Sequence, residues 1–253
     1  MQITVIRHFM KIITWNCNMA FRKKADSILA YQPDILIIPE CEHPDKLIFT
    51  DDTPLPTDIL WFGSNRNKGL GVFSYNGFRL KRLRKYNPDF KIVVPIAVTG
   101  GGVDFTLFAI WANNPDDPDG AYIEQVWKAI HYYDKKISKK RTVLAGDFNS
   151  NAIWDRKYRN GNHSHMVTHL EQKGIYSVYH LHHKQKQGKE LHPTWFMYRH
   201  EDKPYHLDYC FVSKDLADSI CSVEVVDFAY WKPYSDHVPV MVDFYNDMLT
   251  VPS

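Results

Sequence analysis

Seven residues of this chain, Asn16, Glu40, Asp147, Asn149, Asp208, Asp236 and His237, share a setting: each stands close to one end of an apolar, β-branched run. Taken singly, a polar residue after a strand is an ordinary turn former. Gathered at one sheet end, four carboxylates, two amides and an imidazole would amount to a chemistry. Their oxygens would suit a hard divalent cation, and the acids and imidazole could handle protons and charge. Oxygen-dominated ligands with one nearby His favour Mg²⁺ or Mn²⁺ over Zn²⁺. A divalent cation among carboxylates points to phosphoryl chemistry. The metal neutralises non-bridging phosphate oxygens, a carboxylate orients water for in-line attack, and an imidazolium held by an Asp stabilises the charge that builds. Asp147 and Asn149 in "AGDFNS" are two residues apart, so in an extended segment both would face one phosphate.

The positioning elements are legible as apolar runs. "KIITWNCN" (11–18), "DILIIPECE" (34–42), "KIVVPIAV" (91–98), "DFTLFAIWANN" (104–114), "RTVLAGDFNS" (141–150), "HLDYCFVS" (206–213) and "HVPVMVDF" (237–244) each read as a buried strand delivering polar groups at one end. Two helices are expected: one with Phe21, Ala25, Ile28 and Leu29 on its apolar face, one with Ile123, Val126, Trp127, Ile130 and Ile137. Strands outnumber helices, which implies stacked sheets with helices packed outside. No repeat or linker divides the chain, so a single domain over residues 1–253 is expected. Residues 1–9 read as an N-terminal extension ahead of a second start at Met10-Lys11.

"ITWNCN", "PDILIIPECE", "GLGVFS", "AGDFNS", "HLDYCFVS" and "YSDHVPV" occur in an order and spacing that resemble the endonuclease/exonuclease/phosphatase superfamily, from about Lys11 to Phe244. The resemblance implies a four-layer α/β sandwich of two mainly antiparallel sheets with outer helices and a metal-dependent phosphoesterase site at one end. Carried over, Glu40 is the principal metal ligand with Asn16 beside it, and Asp236 binds the metal or its water shell. Asp147 activates or orients the attacking water, and Asn149 holds that water or the phosphate. Asp208 pairs with His237, whose imidazolium contacts the scissile phosphate.

"TWFMYRHEDKPYHLDYCFVS" is similar to the exonuclease III and apurinic/apyrimidinic endonuclease branch, which makes DNA, single- or double-stranded, the expected partner. The longer central motif and extra Arg-containing motif of inositol-polyphosphate phosphatases are absent. Three departures argue against abasic-site specificity. Trp111 stands where that branch has a Tyr, leaving any proton-handling role there to Asn113, Asn114 or another group. His206 replaces an Arg two residues before the Asp of the pair, and "PECE" brings in Glu42 for a Lys. Trp111 and Trp195 would stack unpaired bases, each worth about 1–3 kcal/mol. Among the basic runs, "HHKQKQGK" (182–189) is the best placed to be a substrate loop. The alternative keeps the site and changes the substrate to a small phosphorylated molecule or lipid headgroup.

Composition sets bounds. A chain that is 44% hydrophobic and 24% charged is a folded protein with a substantial core, and a net charge of +2 means any polyanion must meet a local patch. The four Cys are too few and too scattered for a disulfide scaffold or CxxC metal site, and read as reduced thiols. No signal-peptide pattern or membrane-length apolar run occurs, so a cytoplasmic monomer is expected.

Overall fold

The computed structural model describes residues 8–49, 53–90, 93–113, 122–137, 140–156 and 161–245. Fourteen strands form among them: β1 (His8–Thr14), β2 (Ile35–Cys41), β3 (Asp58–Asn65), β4 (Lys68–Ser74), β5 (Arg79–Arg82), β6 (Val93–Thr99) and β7 (Phe105–Trp111). The others are β8 (Thr142–Asp147), β9 (Ile175–Ser177), β10 (Trp195–Phe196), β11 (Pro204–Tyr205), β12 (Asp208–Ser213), β13 (Ile220–Val225) and β14 (Val240–Tyr245). One six-stranded sheet runs β13-β14-β1-β2-β4-β3 and the other β5-β6-β7-β8-β12-β9, with β10 and β11 as a separate hairpin. Only β1 with β2 and β7 with β8 are parallel; every other pairing is antiparallel.

The runs are apolar throughout because the central strands are buried on both faces. In β1 and β2, Ile12, Ile35 and Ile37 meet Val94, Leu107, Val143 and Val212 of the opposite sheet. Their neighbours Ile13, Leu36 and Ile38 turn the other way, onto Phe21, Ile28 of α1 (Ala25–Leu29) and Trp231 at the C-terminal end of Phe228–Trp231. Beyond the second sheet, Phe108, Ile110, Leu144 and Phe211 pack on Val126 and Ile130 of α2 (Ile123–Tyr132) and on Met166 and Leu170 of His163–Gln172. Helices, sheet, sheet and helices therefore stack as a four-layer α/β sandwich. A buried Val, Leu, Ile or Phe contributes about 1.5–3 kcal/mol, and burial on both faces penalises a one-residue slip in register.

The expected helices are each interrupted. Phe21–Lys23 is a 3₁₀ turn before α1, and Ile137 belongs to α3 (Asp134–Ile137) after a break at Tyr133. The helix His163–Gln172, here α4, was not among the two expected. Asn162 starts it, its side chain accepting from the His165 backbone N–H at 2.9 Å. No helix among the described residues is long and apolar enough to cross a membrane.

Strand direction gathers the polar residues. β1, β2, β7 and β8 deliver their C-terminal ends to one edge of the sandwich, where antiparallel β12 and β14 begin. The β1–β2 pairing continues past Thr14 through Trp15 N–H to Ile37 O and Cys17 N–H to Pro39 O, which carries Asn16 up beside Glu40.

Candidate active site

Asp147 sits at the centre of that edge, fully buried, opposite Asp208 on one side and Trp111 on the other. Its approach depends on Gly146, whose φ is +144°; a Cβ there would lie 1.8 Å from the Ile110 carbonyl oxygen. Only glycine lets β8 press so close to β7 at this point. Asn149 reaches Asp147 differently from the strand-alternation reading. Its backbone is left-handed at φ +47°, and the turn brings its N–H to Asp147 Oδ1 at 2.8 Å and its Nδ2 to Oδ2 at 3.3 Å. Asn16 Nδ2 donates to the same Oδ2 at 3.0 Å.

Asp208 Oδ2 and His237 Nδ1 are 2.8 Å apart, with both residues buried. The other carboxylate oxygen, Oδ1, has no hydrogen-bond partner. The pair is held by residues the sequence reading passed over. Thr194 Oγ1 accepts from the backbone N–H groups of Leu207 and Asp208, at 2.8 and 3.0 Å, while its carbonyl accepts from Val238 N–H. Ser235 Oγ accepts from His237 N–H at 3.0 Å and donates to the Asn16 carbonyl at 2.8 Å. Trp15 Nε1 caps the His237 carbonyl at 3.1 Å. Ser235 lies within "YSDHVPV" and Thr194 opens "TWFMYRHEDKPYHLDYCFVS", so both lie in stretches singled out in the sequence, without a role assigned to either.

Burial and charge act against each other here. Burial alone would strip the proton from His237, but the Asp208 carboxylate and its hydrogen bond, helped by Asp147 and Asp236, raise its pKa to about 10. For Asp147, burial and the nearby Asp208 charge push the pKa up to about 7, against the opposing pull of His237 and Asn16. The site therefore pairs a cationic imidazole with a carboxyl poised near neutrality.

Glu40 stands at a β-bulge between Pro39 and Cys41 with left-handed φ +62°. Bulges and such backbone re-aim a side chain beside a site. Its Oε1 lies 3.1 Å from Lys68 Nζ and 3.5 Å from Asn16 Nδ2. Lys68 in turn lies 5.5 Å from the Trp111 ring centre. Asp236 accepts from Asn18 Nδ2 at 2.8 Å through Oδ1 and from Trp195 Nε1 at 3.0 Å through Oδ2, so it orients the Trp195 indole at the rim.

A divalent cation fits this donor set. Carboxylate oxygens of Asp147 and Asp208 come within 4.8 Å of each other, one buried Asp208 oxygen has no hydrogen-bond partner, and Glu40, 3.5 Å from Asn16, adds a further carboxylate, while His237, protonated and bonded to Asp208, is not a ligand. These donors are oxygens, as a hard cation requires.

Two substrate-binding expectations need correction. His206 is 3% exposed, its Nδ1 bonded to the His192 carbonyl at 2.7 Å and its ring among Tyr179 and Tyr209. Burial lowers its pKa to about 4, so it is neutral at physiological pH and cannot stand in for an Arg facing phosphate. Trp111 is 5% exposed and packs in the inter-sheet core, with the Lys68 ammonium over its ring, which leaves no free face for a base. Asn113 is half-buried and lines a cavity of about 610 Å³ with Lys68, Tyr86 and the edge of Trp111. Asn114 lies outside the described residues. Glu42 turns away, buried on the Arg22 guanidinium at 2.7 Å.

The sequence matches the Endonuclease/Exonuclease/phosphatase family over residues 13–237, and the chain belongs to that family. None of the curated proteins compared matches it in sequence. Among solved structures, a Neisseria 3′ phosphatase, NExo, bound to a product DNA hairpin is similar at 23% identity and TM-score 0.67, covering 93% of this chain and 99% of that one. An apurinic/apyrimidinic (AP) endonuclease from Archaeoglobus fulgidus is similar at 18% identity and TM-score 0.67, with the same coverage. The endonuclease domain of TRAS1, a telomere-specific non-LTR retrotransposon, is similar at 16% identity and TM-score 0.63, covering 93% and 97%. At these identities the likeness is one of fold.

Proposed function

We propose that this chain is a Mg²⁺- or Mn²⁺-dependent DNA nuclease that cleaves phosphodiester bonds by in-line attack of water. The observation that carries the reading is the buried Asp147–Asp208–His237 cluster, with one imidazole held by one carboxylate and a second carboxyl beside them. Glu40 and Asn16 would hold the cation, which when bound supplies charge neutralisation at the non-bridging phosphate oxygens. Asp147, with a pKa of about 7, matches what a general base needs at neutral pH. Asn149 and Asn16 fix its carboxylate, so the direction in which it accepts a proton is set before substrate arrives. Asp208 keeps His237 charged and oriented, presenting Nε2 to the phosphate.

The cluster is compatible with a terminal phosphate as well as an internal diester, and a fold neighbour is a 3′ phosphatase on DNA. Removal of a 3′ phosphate is therefore the second reading. One assay separates them. End-labelled single-stranded, duplex, abasic and 3′-phosphorylated oligonucleotides are incubated across a metal panel and product lengths are read. A nuclease yields shortened products only with divalent metal. Loss of the terminal phosphate with no shortening would replace the nuclease reading by the phosphatase one, and turnover of none would overturn both.

A further inference from the structure

A row of aromatic rings leads away from the catalytic edge. The Trp195 ring centre lies 6.1 Å from that of His237, Tyr205 lies 5.6 Å from Trp195, and Trp154 lies 4.9 Å from Tyr205. Trp195 and Tyr205 are register partners in the β10–β11 hairpin, while Trp154 comes from the 3₁₀ turn Ala152–Trp154 that follows the Asp147 strand. Successive planes are tilted by 35–42° along the outer two steps, so no two of these rings stack parallel, and Trp195 and Tyr205 are both partly exposed. Trp154 at its outer end remains 44% exposed.

This aromatic ledge has a cationic border that is fixed in place. A Cβ on Gly188 would lie 3.3 Å from Ile153 Cγ2, so the 184–190 loop rests on the turn that carries Trp154. Lys184, Lys186 and Lys189 on that loop are exposed. Asn151 joins the two segments: its Oδ1 accepts from Ile153 N–H at 3.0 Å, capping the turn, while its Nδ2 donates to Glu190 Oε2 at 3.1 Å. Glu190 Oε1 accepts from Gly188 N–H at 2.9 Å and lies 3.0 Å from His180 Nε2.

We infer that Trp154 and Tyr205 extend Trp195 into a stacking site for unpaired bases of a single-stranded polynucleotide whose phosphates follow the lysines of the 184–189 loop. This rests on the phosphodiesterase reading of the site and names its substrate class. In a duplex the base faces are already stacked on one another, so only a base out of the helix can meet an indole face. The lysines supply the charge complementarity that a polyanion needs and an uncharged partner would not.

The test measures binding of a fluorescein-labelled, phosphorothioate-linked oligo-dT, which resists hydrolysis, by fluorescence anisotropy in Mg²⁺, beside a blunt duplex of the same linkage. Trp154→Ala should weaken single-strand binding by about 5- to 100-fold, with Trp154→Phe restoring most of it and duplex binding changing less than about twofold. Lys186→Gln should lower the slope of log affinity against log salt by about 0.7. Unfolding midpoints are recorded for each variant. Trp154→Leu keeps apolar bulk against Tyr205 without a ring face, and carries the same expectation should the alanine variant be unstable. Unchanged single-strand affinity in the Ala and Leu variants, or equal loss on duplex, would overturn the ledge. Ledge-dependent binding by a protein that cleaves nothing would overturn the function and leave the ledge standing. DNA cleavage with unaltered binding by Trp154→Ala would do the reverse.

Discussion

Two buried histidines, one paired with Asp208 and one two residues before it, have opposite fates. His237 is 5% exposed and carries its proton with a pKa of about 10; His206 is 3% exposed and surrenders it, with a pKa of about 4. Burial opposes the charge in both, so burial does not decide between them. The deciding difference is the nearest partner. His237 faces the Asp208 carboxylate at 2.8 Å, while His206 faces a backbone carbonyl at 2.7 Å amid tyrosine rings. One region spends its burial on holding a charge, and the other on packing the polar layer behind it.

The largest effect should come from removing the partner that makes the difference. Asp208→Asn leaves the shape of the pair and deletes its charge, so His237 should lose its proton near neutrality and turnover should fall by about 10³–10⁴-fold. Steady-state rates with the imidazole followed by NMR check both halves; a His237 that stays protonated in the variant would break the comparison.

The next effect concerns the strand that brings Asp147 to Asp208. Gly146→Ala places a methyl group 1.8 Å from the Ile110 carbonyl oxygen at a φ of +144°. Relief requires moving β8 away from β7, and a loss of about 3 kcal/mol or more is expected in denaturant unfolding. A variant as stable as the parent would show that the close approach is not needed.

The smallest effect, and the one that sharpens the contrast, is on pH. The His206 pKa is depressed in the fold, from 6.5 to about 4, so the unfolded chain takes up a proton first as pH falls. The His206 contribution to stability should therefore be whole above pH 6.5 and be lost between pH 6.5 and 4, by up to about 3 kcal/mol, while Asp147, raised to about 7, contributes with the opposite sign over the same range. Glu190, which burial would raise but which hydrogen bonds from His180 and Asn151 bring down to about 2, extends the loss below pH 4.5. His206→Gln should remove that contribution, so its stability relative to the parent should rise as pH falls from 6.5 to 4 in thermal melts at stepped pH. An unchanged profile would assign the acid sensitivity elsewhere.

Much of this organisation was legible in the chain. Runs such as "DILIIPECE" and "RTVLAGDFNS" are apolar on both faces because they lie between a sheet and a helix layer, and each is a strand with its polar residues at the shared edge. What periodicity could not show was backbone exception. The left-handed turn at Asn149 and the bulge at Glu40 depend on neighbouring strands, and both re-aim a site residue. Charge was equally hidden. His206 reads as a cation until its burial is known, and Trp111 reads as a stacking face until Lys68 covers it. Thr194 is the plainest case: it opens "TWFMYRHEDKPYHLDYCFVS", yet its tether to Asp208 and to the segment after His237 depends on contacts that sequence order does not display.

The central claim is that Asp147 handles the attacking water within a metal-dependent phosphodiesterase site. Its most direct test is Asp147→Asn, assayed on end-labelled DNA with Mg²⁺ or Mn²⁺ alongside its unfolding midpoint. The substitution removes a charge that burial and Asp208 already disfavour, so the fold should be at least as stable as the parent. Cleavage should fall by at least about 10³-fold. A folded Asp147→Asn protein that still cleaves DNA at the parental rate would contradict the assignment.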